Sequence, residues 1–272
     1  MTARKRFGQH FLEPAWVERV VEAIRPSSED TFLEIGPGWG ALTLALAPRV
    51  RQVVAVEIDR DLAPALAKRV PTNVRVVEAD FLRTDVAALL GTSVPARVAG
   101  NLPYNISTPI LFRVLSLAED GRRITDATVM LQREVAERLA ARPGSKDWGV
   151  LSACQQLRAR VQPLLALPPG AFRPAPRIHS AVVRVTYHPP EPGVRDLAVF
   201  DGLVRTIFMQ RRKMLSNALA PFARPRGVDA AAALEASGLD GRRRPETLDV
   251  AELARLADVF ASSARDQLPP VL

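Results

Sequence analysis

The stretch TFLEIGPGWGALTLALAPRVRQVVAVE, residues 31–57, decides the fold class of this chain. It begins with a strand-like apolar run at 31–35. A glycine-rich turn comes next, and then an amphipathic helical stretch at 41–50. A second strand-like run occupies 52–57. A strand, a crossover helix and another strand in this order form a parallel pair. The stretch therefore predicts an α/β protein.

The same alternation continues to about residue 145. The further runs are strand-like at 74–79, 96–102 and 126–132, and helical at 61–70, 84–90 and 107–119. Strands that alternate with helices of this length are typical of an open, doubly wound parallel sheet with a Rossmann-like order.

Beyond residue 148 the pattern changes. A helix is predicted at 151–161, and two strands at 161–167 and 180–188 can pair antiparallel across the proline-rich loop 168–177. The segment PPEPG, 189–193, then reads as a linker. Only helical periods follow, at 199–208, 213–222, 229–237 and 250–260. We predict a catalytic, cofactor-binding domain over 1–190 and a small all-α domain over 191–272.

Composition and charge narrow the class of partner. The 272 residues include a single cysteine, Cys154, and three scattered histidines, which argues against a disulfide scaffold and against a metal site. Thirty-seven Lys and Arg against 29 Asp and Glu give a net charge of +8, which favours a polyanionic partner; a base-composition bias towards Arg is the alternative. No membrane-spanning run and no apolar leader are evident, so we expect a cytoplasmic protein without a membrane partner.

The glycine-rich turn holds Gly36, Gly38 and Gly40 in the spacing G-x-G-x-G. Such a turn lets the backbone approach a ligand at the carboxyl end of the sheet. The spacing matches neither the dinucleotide fingerprint nor a nucleoside triphosphate loop. A plain tight turn is the alternative interpretation.

Acidic residues follow the next two strands. Glu57 ends the second strand and can accept both hydroxyls of a ribose, and Asp80, followed by Phe81, ends the third strand and can accept an adenine amine. Each acid alone is equally compatible with a helix cap. Together with the glycine turn they predict an adenosine-bearing cofactor, which leaves NAD and S-adenosylmethionine to be separated.

The segment Asn101-Leu102-Pro103-Tyr104 separates them. The Asn101 amide oxygen and the carbonyl of Leu102, held by Pro103, can accept both hydrogens of an exocyclic amine, while Tyr104 offers a ring to the base. These acceptors would leave the nitrogen lone pair directed at an electrophilic methyl group, as in S-adenosylmethionine. A strand-ending turn is the alternative.

The residues NLPYNIST after a G-x-G-x-G turn resemble the ribosomal RNA adenine dimethyltransferases. Four other segments resemble motifs of that family, and the last two resemble its bacterial small-subunit members: Lys5–Leu12, Phe172–Ser180, Gln210–Leu219 and Arg244–Val250. The resemblance covers nearly the whole chain. It implies dimethylation of N6 of two adjacent adenosines in the loop of the 3′-terminal helix of 16S rRNA, with the small ribosomal subunit as partner and with S-adenosylmethionine as cofactor. We expect the protein to be a monomer.

The resemblance also implies site residues. The cofactor-binding set is His10, Leu12, Gly36, Gly38, Glu57, Asp80, Phe81 and Asn101. His10 departs from the family, which usually has Asn there, and it is alternatively a residue that packs against Phe11. Phe172 resembles a second aromatic face for the target base beside Tyr104, with core packing as the alternative.

Basic residues predict the RNA contacts. From Trp148 to Pro190 the chain has no acidic residue, whereas Arg158, Arg173, Arg177 and Arg184 are among its basic ones. Two clusters, Arg211-Arg212-Lys213 and Arg242-Arg243-Arg244, stand in a segment that has 12 basic and 11 acidic residues after position 190. Local clusters on a balanced background suit phosphate contacts. Solvated helix faces are the alternative.

Three rival functions stay open. The first is methylation of a 23S rRNA adenine, as in macrolide-resistance enzymes that resemble this chain. The second is a ribosome-assembly factor without catalysis. The third is an NAD oxidoreductase, which the glycine spacing and the lack of an acid-base partner for hydride transfer disfavour.

Overall fold

The computed structural model describes residues 10–91, 95–119 and 123–265. The elements in chain order are β1 (Phe11–Leu12), α1 (Pro14–Ile24), β2 (Thr31–Ile35), α2 (Ala41–Leu46), β3 (Gln52–Glu57), α3 (Leu62–Ala67), β4 (Val74–Glu78), α4 (Val86–Leu90), β5 (Ala96–Asn101), α5 (Ser107–Glu119), β6 (Ile124–Gln132), α6 (Arg133–Leu139), α7 (Val150–Gln156), β7 (Ala159–Leu167), β8 (Phe172–Arg173), β9 (Ser180–Tyr187), α8 (Leu197–Phe208), α9 (Leu215–Ala223), α10 (Ala230–Ala236) and α11 (Val250–Arg265).

Seven strands of the described chain form one sheet in the order β4-β3-β2-β5-β6-β9-β7. The first five of these strands pair parallel, and β9 pairs antiparallel with β6. The predicted α/β fold with a doubly wound parallel sheet is therefore confirmed. Strands β2 and β3 are buried almost throughout, which explains why their sequences are continuous apolar runs.

Contacts divide the chain into two compact units. Of the described residues, the first unit comprises those from His10 to Glu137 together with Arg160–Tyr187, and the second comprises Arg138–Ala159 together with those from His188 to Arg265. This division differs from the expected boundary at residue 190, because 138–159 group with the C-terminal helices.

Buried polar contacts within the second unit explain that difference. The indole N–H of Trp148 donates to the Leu248 carbonyl at 3.1 Å. The guanidinium of Arg158, which is 2% exposed, forms an ion pair with Asp201 at 2.6 Å. Since a buried charge is stable only when it is paired, the segment that contains Arg158 is fixed to helix α8 of its own unit.

One predicted helix is too long. The helix expected at 151–161 ends at Gln156, and strand β7 begins at Ala159. The Arg158 side chain folds back to donate to the Cys154 carbonyl at 3.0 Å, and the chain leaves the helix there.

Four elements, α1, α6, β1 and β8, lacked a sequence prediction. Helix α1 buries one apolar face, Val17, Val20, Val21 and Ile24, and α6 follows β6 directly. Strand β1 pairs antiparallel with β8, which lies inside the loop predicted at 168–177. This pair joins the start of the described chain to the proline-rich loop.

The second unit packs its helices around aromatic and aliphatic side chains. Phe222 of α9 meets Phe260 of α11 edge to face, with the ring centroids 5.2 Å apart. Asp196 caps α8 by accepting from the amides of Ala198 and Val199. In the part of the chain that the structure describes, no helix is long and apolar enough to cross a membrane.

We expect Gly100→Ala to destabilise the first unit. A Cβ at Gly100 would lie 2.5 Å from the Ile35 carbonyl oxygen, on the backbone of the neighbouring central strand. Because backbone in a sheet cannot move aside cheaply, the free energy of unfolding should fall by about 1–3 kcal/mol in urea titrations. Gly170→Ala is the matched control, since a Cβ there would meet nothing within 4 Å. Equal destabilisation by both substitutions would contradict this explanation.

Candidate active site

A cavity of about 150 Å³ lies at the carboxyl ends of β2, β3 and β5. Parallel strands end at one edge of a sheet, so the residues that follow them converge there. Nine residues predicted from the sequence line it: His10, Leu12, Gly36, Gly38, Glu57, Asn101, Leu102, Pro103 and Tyr104. The structure thus brings the glycine turn, the second-strand acid and the NLPY segment together. The part each plays in binding or catalysis stays a prediction.

The glycine turn has the left-handed backbone that glycine favours. Gly36 and Gly38 have φ of 67° and 59°. A Cβ at Gly36 would meet nothing within 4 Å, so the turn leaves open space beside the cavity. A Cβ at Gly38 would lie 2.9 Å from the ring of Phe11, which therefore packs directly on this turn.

Glu57 is held rigidly at the end of β3. Its carboxylate accepts from the amides of Gly38 at 2.8 Å and Asp59 at 2.9 Å, and the residue is 4% exposed. Burial raises the pKa of Glu57, and these amide hydrogen bonds oppose the rise. The result is a fixed pair of acceptor oxygens on the cavity wall.

Glu34 is a cavity residue that sequence reasoning missed as a site residue. It is 1% exposed, and its Oε2 has no hydrogen-bond partner among the described residues. Burial, with a further contribution from the charge of Glu57, raises the pKa of Glu34 to about 7. The signal in the sequence was a single acid inside the apolar strand TFLEI.

Asn101 presents an acceptor oxygen. Its Nδ2 donates to the His10 carbonyl at 2.6 Å, and because a carbonyl can only accept, this bond fixes which way the amide points. The Oδ1 is buried and has no hydrogen-bond partner within the described chain. A buried acceptor without a donor is costly, so it favours a ligand that brings an N–H.

Tyr104 is held by two side chains. Its hydroxyl shares a hydrogen bond with the Ser180 hydroxyl at 2.6 Å. The imidazole of His10 stacks on its ring, with centroids 5.3 Å apart and planes 27° apart. His10 therefore packs on Tyr104 rather than on Phe11, the partner considered from the sequence. Burial raises the pKa of Tyr104, so the phenol stays neutral.

Two residues of the predicted cofactor-binding set, Asp80 and Phe81, do not line the cavity. Asp80 lies after β4, where the neighbouring Ala79 amide donates to the Glu57 carbonyl at 2.9 Å, but its own carboxylate accepts from the Leu82 amide. Phe81 is 5% exposed and belongs to the core. Their cofactor contacts stay predictions.

The expectation for Phe172 is corrected. A stacking residue needs an open ring face, but Phe172 is 0% exposed and packs in a hydrophobic cluster with Leu12, Leu167 and Val182. Phe172 is therefore a core residue, which was the alternative considered from the sequence. The β1–β8 pairing draws Phe172 inward, opposite Leu12.

The cavity suits an adenosine-bearing cation. Two carboxylates, Glu34 and Glu57, complement positive charge and hydroxyl donors, and Gly36 leaves room for close approach. Apolar walls come from Trp39 and Ile58, the latter 46% exposed. These features match S-adenosylmethionine, which carries a sulfonium, an ammonium and an adenosine. No group of three potential metal-ligating residues occurs in the described ranges.

The predicted basic clusters of the second unit meet on one surface. The Leu215 amide donates to the Arg243 carbonyl at 2.7 Å, and the Arg211 guanidinium donates to the Lys146 carbonyl at 2.9 Å. We call this surface the basic face. It comprises Arg142, Lys146, Arg211, Arg212, Lys213, Arg242, Arg243 and Arg244. Arg142 and Lys146 were not among the RNA-binding residues predicted from the sequence.

Several basic residues of this face are engaged within the protein. Arg243 pairs with Glu252 at 2.5 Å, and Arg242 pairs with Asp240 at 3.0 Å. Arg211 lies 3.5 Å from Glu246, whereas Arg212 and Lys213 are exposed.

In the first unit, Arg173 and Arg177 are exposed on the proline-rich loop. Arg184, by contrast, donates to the Ala23 and Ile24 carbonyls that end α1. Together with the buried Arg158, it shows that part of the acid-free stretch is structural.

Comparisons with known proteins agree with this site. Residues 1–261 match the family described as ribosomal RNA adenine dimethylase. Relatives named ribosomal RNA small subunit methyltransferase A are 43% identical in Marinobacter nauticus, over 97% of this chain and 94% of the relative, and 46% identical in Methylibium petroleiphilum, over 94% and 95%.

Two solved structures resemble this chain over most of its length. A dimethyladenosine transferase from Plasmodium falciparum superposes with a TM-score of 0.79 at 24% identity, over 94% of this chain and 98% of that one. The 23S rRNA methyltransferase ErmE superposes with a TM-score of 0.67 at 26% identity, over 92% and 99%.

These findings confirm the predicted class of enzyme. The predictions of a Rossmann-like sheet, of S-adenosylmethionine as cofactor and of adenine dimethylation in ribosomal RNA all hold. The NAD oxidoreductase alternative is set aside. The chain belongs to the ribosomal RNA adenine dimethylase family.

Proposed function

We propose that this chain dimethylates N6 of two adjacent adenosines in the loop of the 3′-terminal helix of 16S rRNA, within the small ribosomal subunit. The observation that carries the chemistry is the unpaired, buried Oδ1 of Asn101 in the cavity. The names of the relatives at 43–46% identity support the choice of subunit.

The cofactor would be held by residues of the glycine turn and strand ends. Glu57, fixed by two amides, suits the ribose hydroxyls, and Glu34 suits a positive charge. His10, Leu12 and Asp80 are proposed further contacts. S-adenosylmethionine supplies an electrophilic methyl group on a positively charged sulfur.

The chain's own residues would orient the accepting amine. The Asn101 Oδ1 and the Leu102 carbonyl accept the two hydrogens of N6, so that its lone pair points away from both acceptors. As positive charge develops on N6, these two fixed dipoles stabilise it without a general base. Pro103 restricts the backbone at the Leu102 carbonyl, and the Leu102 amide is anchored on Met130 O at 3.1 Å.

The target base must leave its stack to reach the cavity. Tyr104 offers a ring beside Asn101, and it is the aromatic residue that we assign to the base, in place of Phe172. Arg173 and Arg177, exposed on the neighbouring loop, would contact phosphates that flank the base.

The basic face of the second unit would bind the RNA backbone, in keeping with a helical ribosome-binding domain after residue 190. We propose that the chain works as a monomer. Its ribosomal substrate would place it in the cytoplasm.

Transfer of tritiated methyl groups tests the proposal. S-adenosylmethionine is incubated with the protein and with unmethylated small subunits, large subunits or naked rRNA, and the labelled nucleosides are identified. Dimethyladenosine only in small subunits is the expected result. Label only in large subunits would show that the chain methylates 23S rRNA instead. The absence of label on every substrate would favour a ribosome-assembly factor without catalysis.

We expect Asn101→Ala to abolish most turnover while cofactor binding weakens only modestly. Loss of one fixed acceptor in a catalytic site costs about 10²- to 10³-fold in kcat. Single-turnover assays and calorimetric titration with S-adenosylmethionine measure the two effects. Asn105→Ala, the same change at an exposed residue of the cavity rim, is the control and should keep most of its turnover. Normal turnover of Asn101→Ala would overturn the mechanism.

The raised pKa of Glu34, about 7, predicts opposite effects of pH on stability and cofactor affinity. Between the ordinary value of 4.5 and about 7, the folded protein binds more protons than the unfolded chain, so the free energy of unfolding falls as pH rises. The ionised form attracts the positively charged cofactor, so affinity should rise from pH 6 to pH 8. Chemical unfolding between the ordinary pKa of 4.5 and about pH 7 measures the change in stability. Calorimetric titration with S-adenosylmethionine, from about pH 6 to about pH 8, measures the change in affinity.

Glu34→Gln provides the control, because it removes the titrating group and keeps its shape. The variant should flatten both pH profiles, and it should be more stable than the wild type at pH 8 by up to about 3 kcal/mol. Parallel pH profiles of variant and wild type would assign the titration to another group, such as Glu57.

Arg212 and Lys213 should contribute to the salt dependence of ribosome binding. Replacing both with Gln removes two exposed charges of the basic face, so the slope of log affinity against log salt should become shallower by about 1.4–1.8. The control is Arg195→Gln with Arg224→Gln, because Arg195 lies before the start of α8 and Arg224 after the end of α9, at the helix ends away from the basic face. Binding to small subunits at several salt concentrations measures the slopes, and equal changes in both double variants would show that the basic face has no special role.

A further inference from the structure

Tyr104 is bound at its far end by a residue that the proposed mechanism does not use. The Ser180 hydroxyl lies 2.6 Å from the Tyr104 hydroxyl, and Ser180 is 1% exposed. The burial of Ser180 limits competition from water, so the bond is stronger than an exposed one.

Ser180 itself sits on a rigid part of the sheet. It is the first residue of β9 and lies opposite Gln132, the last residue of β6. The next residue of the chain after β6, Arg133, donates its amide to the His179 carbonyl at 3.0 Å. The hydroxyl of Ser180 is thus held by two paired strands and not by a free loop.

A hydrogen bond at the phenol oxygen restricts only one of the two side-chain torsions. With its backbone and its hydroxyl both held, the Tyr104 side chain cannot swing about χ1. Rotation about χ2 is left free, because that axis runs through the hydroxyl oxygen and leaves the oxygen in place. Another contact is needed to define the plane of the ring.

His10 supplies that contact. Its imidazole stacks on the Tyr104 ring at 5.3 Å and so blocks rotation about χ2 from one face. His10 Nδ1 lies 2.7 Å from the Pro174 carbonyl, which can only accept, so Nδ1 carries the proton of this bond. The imidazole is therefore itself held in place.

We propose that Ser180 and His10 are positioning residues for Tyr104, which leave one face of its ring open to the target base. This inference rests on the proposed function, and it gives His10 a role toward the base. Ser180 determines where the phenol end lies, and His10 determines the ring plane. Neither side chain needs to touch the substrate.

A double-mutant cycle tests the Ser180 part. Ser180→Ala, Tyr104→Phe and the double variant are compared in single-turnover assays with small subunits. Each single change should lower kcat about 5- to 10-fold, with little change in the KM for subunits, and the double variant should lose no more than either single one. Ser180→Thr, which keeps the hydroxyl, should restore most of kcat.

The His10 part has its own variants. His10→Ala should lower kcat by a larger factor than it lowers the affinity for S-adenosylmethionine, of which His10 is a proposed further contact. His10→Phe, which keeps an aromatic face, should recover part of the loss in kcat. Weaker cofactor binding by His10→Ala at unchanged kcat would assign the ring to the cofactor and overturn its positioning role.

Failure of this inference differs from failure of the proposed function. The positioning role would be overturned if the losses in kcat of Ser180→Ala and Tyr104→Phe multiplied in the double variant. Full turnover of Ser180→Ala would overturn it as well. In both cases the turnover of the wild type would still support the proposed function. Absence of wild-type turnover on every ribosomal substrate would overturn the proposed function and this inference with it. The same cycle measured by urea unfolding then still reports whether the two hydroxyls interact.

Discussion

The hydrogen bond from the Asn101 amide to the His10 carbonyl is the contact on which the site depends. It joins the end of β5 to the start of β1, which are 91 residues apart in sequence. A side-chain amide rotates freely in water, and either end of it can face a ligand. Once Nδ2 donates to a backbone carbonyl, the orientation of the amide is fixed, and its oxygen is left to accept from the ligand. The backbone carbonyl of His10 therefore determines which atom of the Asn101 amide is available to the ligand.

The parallel sheet made much of this site predictable. Glu57 and Asn101 end strands, and the carboxyl ends of parallel strands share one edge, so local patterns sufficed to place both on the cavity. Tyr104 followed from its position three residues after Asn101. The family motifs then supplied the substrate, which strand patterns alone do not contain.

Other features were not predictable, because their causes are contacts between distant segments. The β1–β8 pairing involves two strands of two residues each, too short for an alternating pattern. That pairing buries Phe172, which looked like a base-stacking residue from its motif. The stacking of His10 on Tyr104 likewise joins two residues that are far apart in sequence, at positions 10 and 104. A motif shows which residue types are present, and only the packing shows which ring face stays open.

Net charge was also an incomplete guide. Arg97 pairs with Asp30 and Asp126 at 2.8 Å, Arg184 binds carbonyls at the end of α1, and Arg158 is buried against Asp201. These arginines hold the protein together, and their charges are compensated by neighbouring acids or carbonyl groups. The charge that remains for a polyanion is concentrated in exposed residues such as Arg212 and Lys213. Counting basic residues along the chain does not separate these two groups.

The cavity concentrates polar groups whose burial costs stability. Glu34 Oε2 and Asn101 Oδ1 are buried without a hydrogen-bond partner in the described chain, and the Glu34 and Glu57 carboxyls raise each other's energy when both are charged. A core built only for stability would replace such groups with apolar ones. Their cost falls when a ligand brings N–H donors and positive charge, which is what a methyl donor with a sulfonium and an adenine amine carries. The groups that weaken the free protein are thus the ones that would bind its substrates.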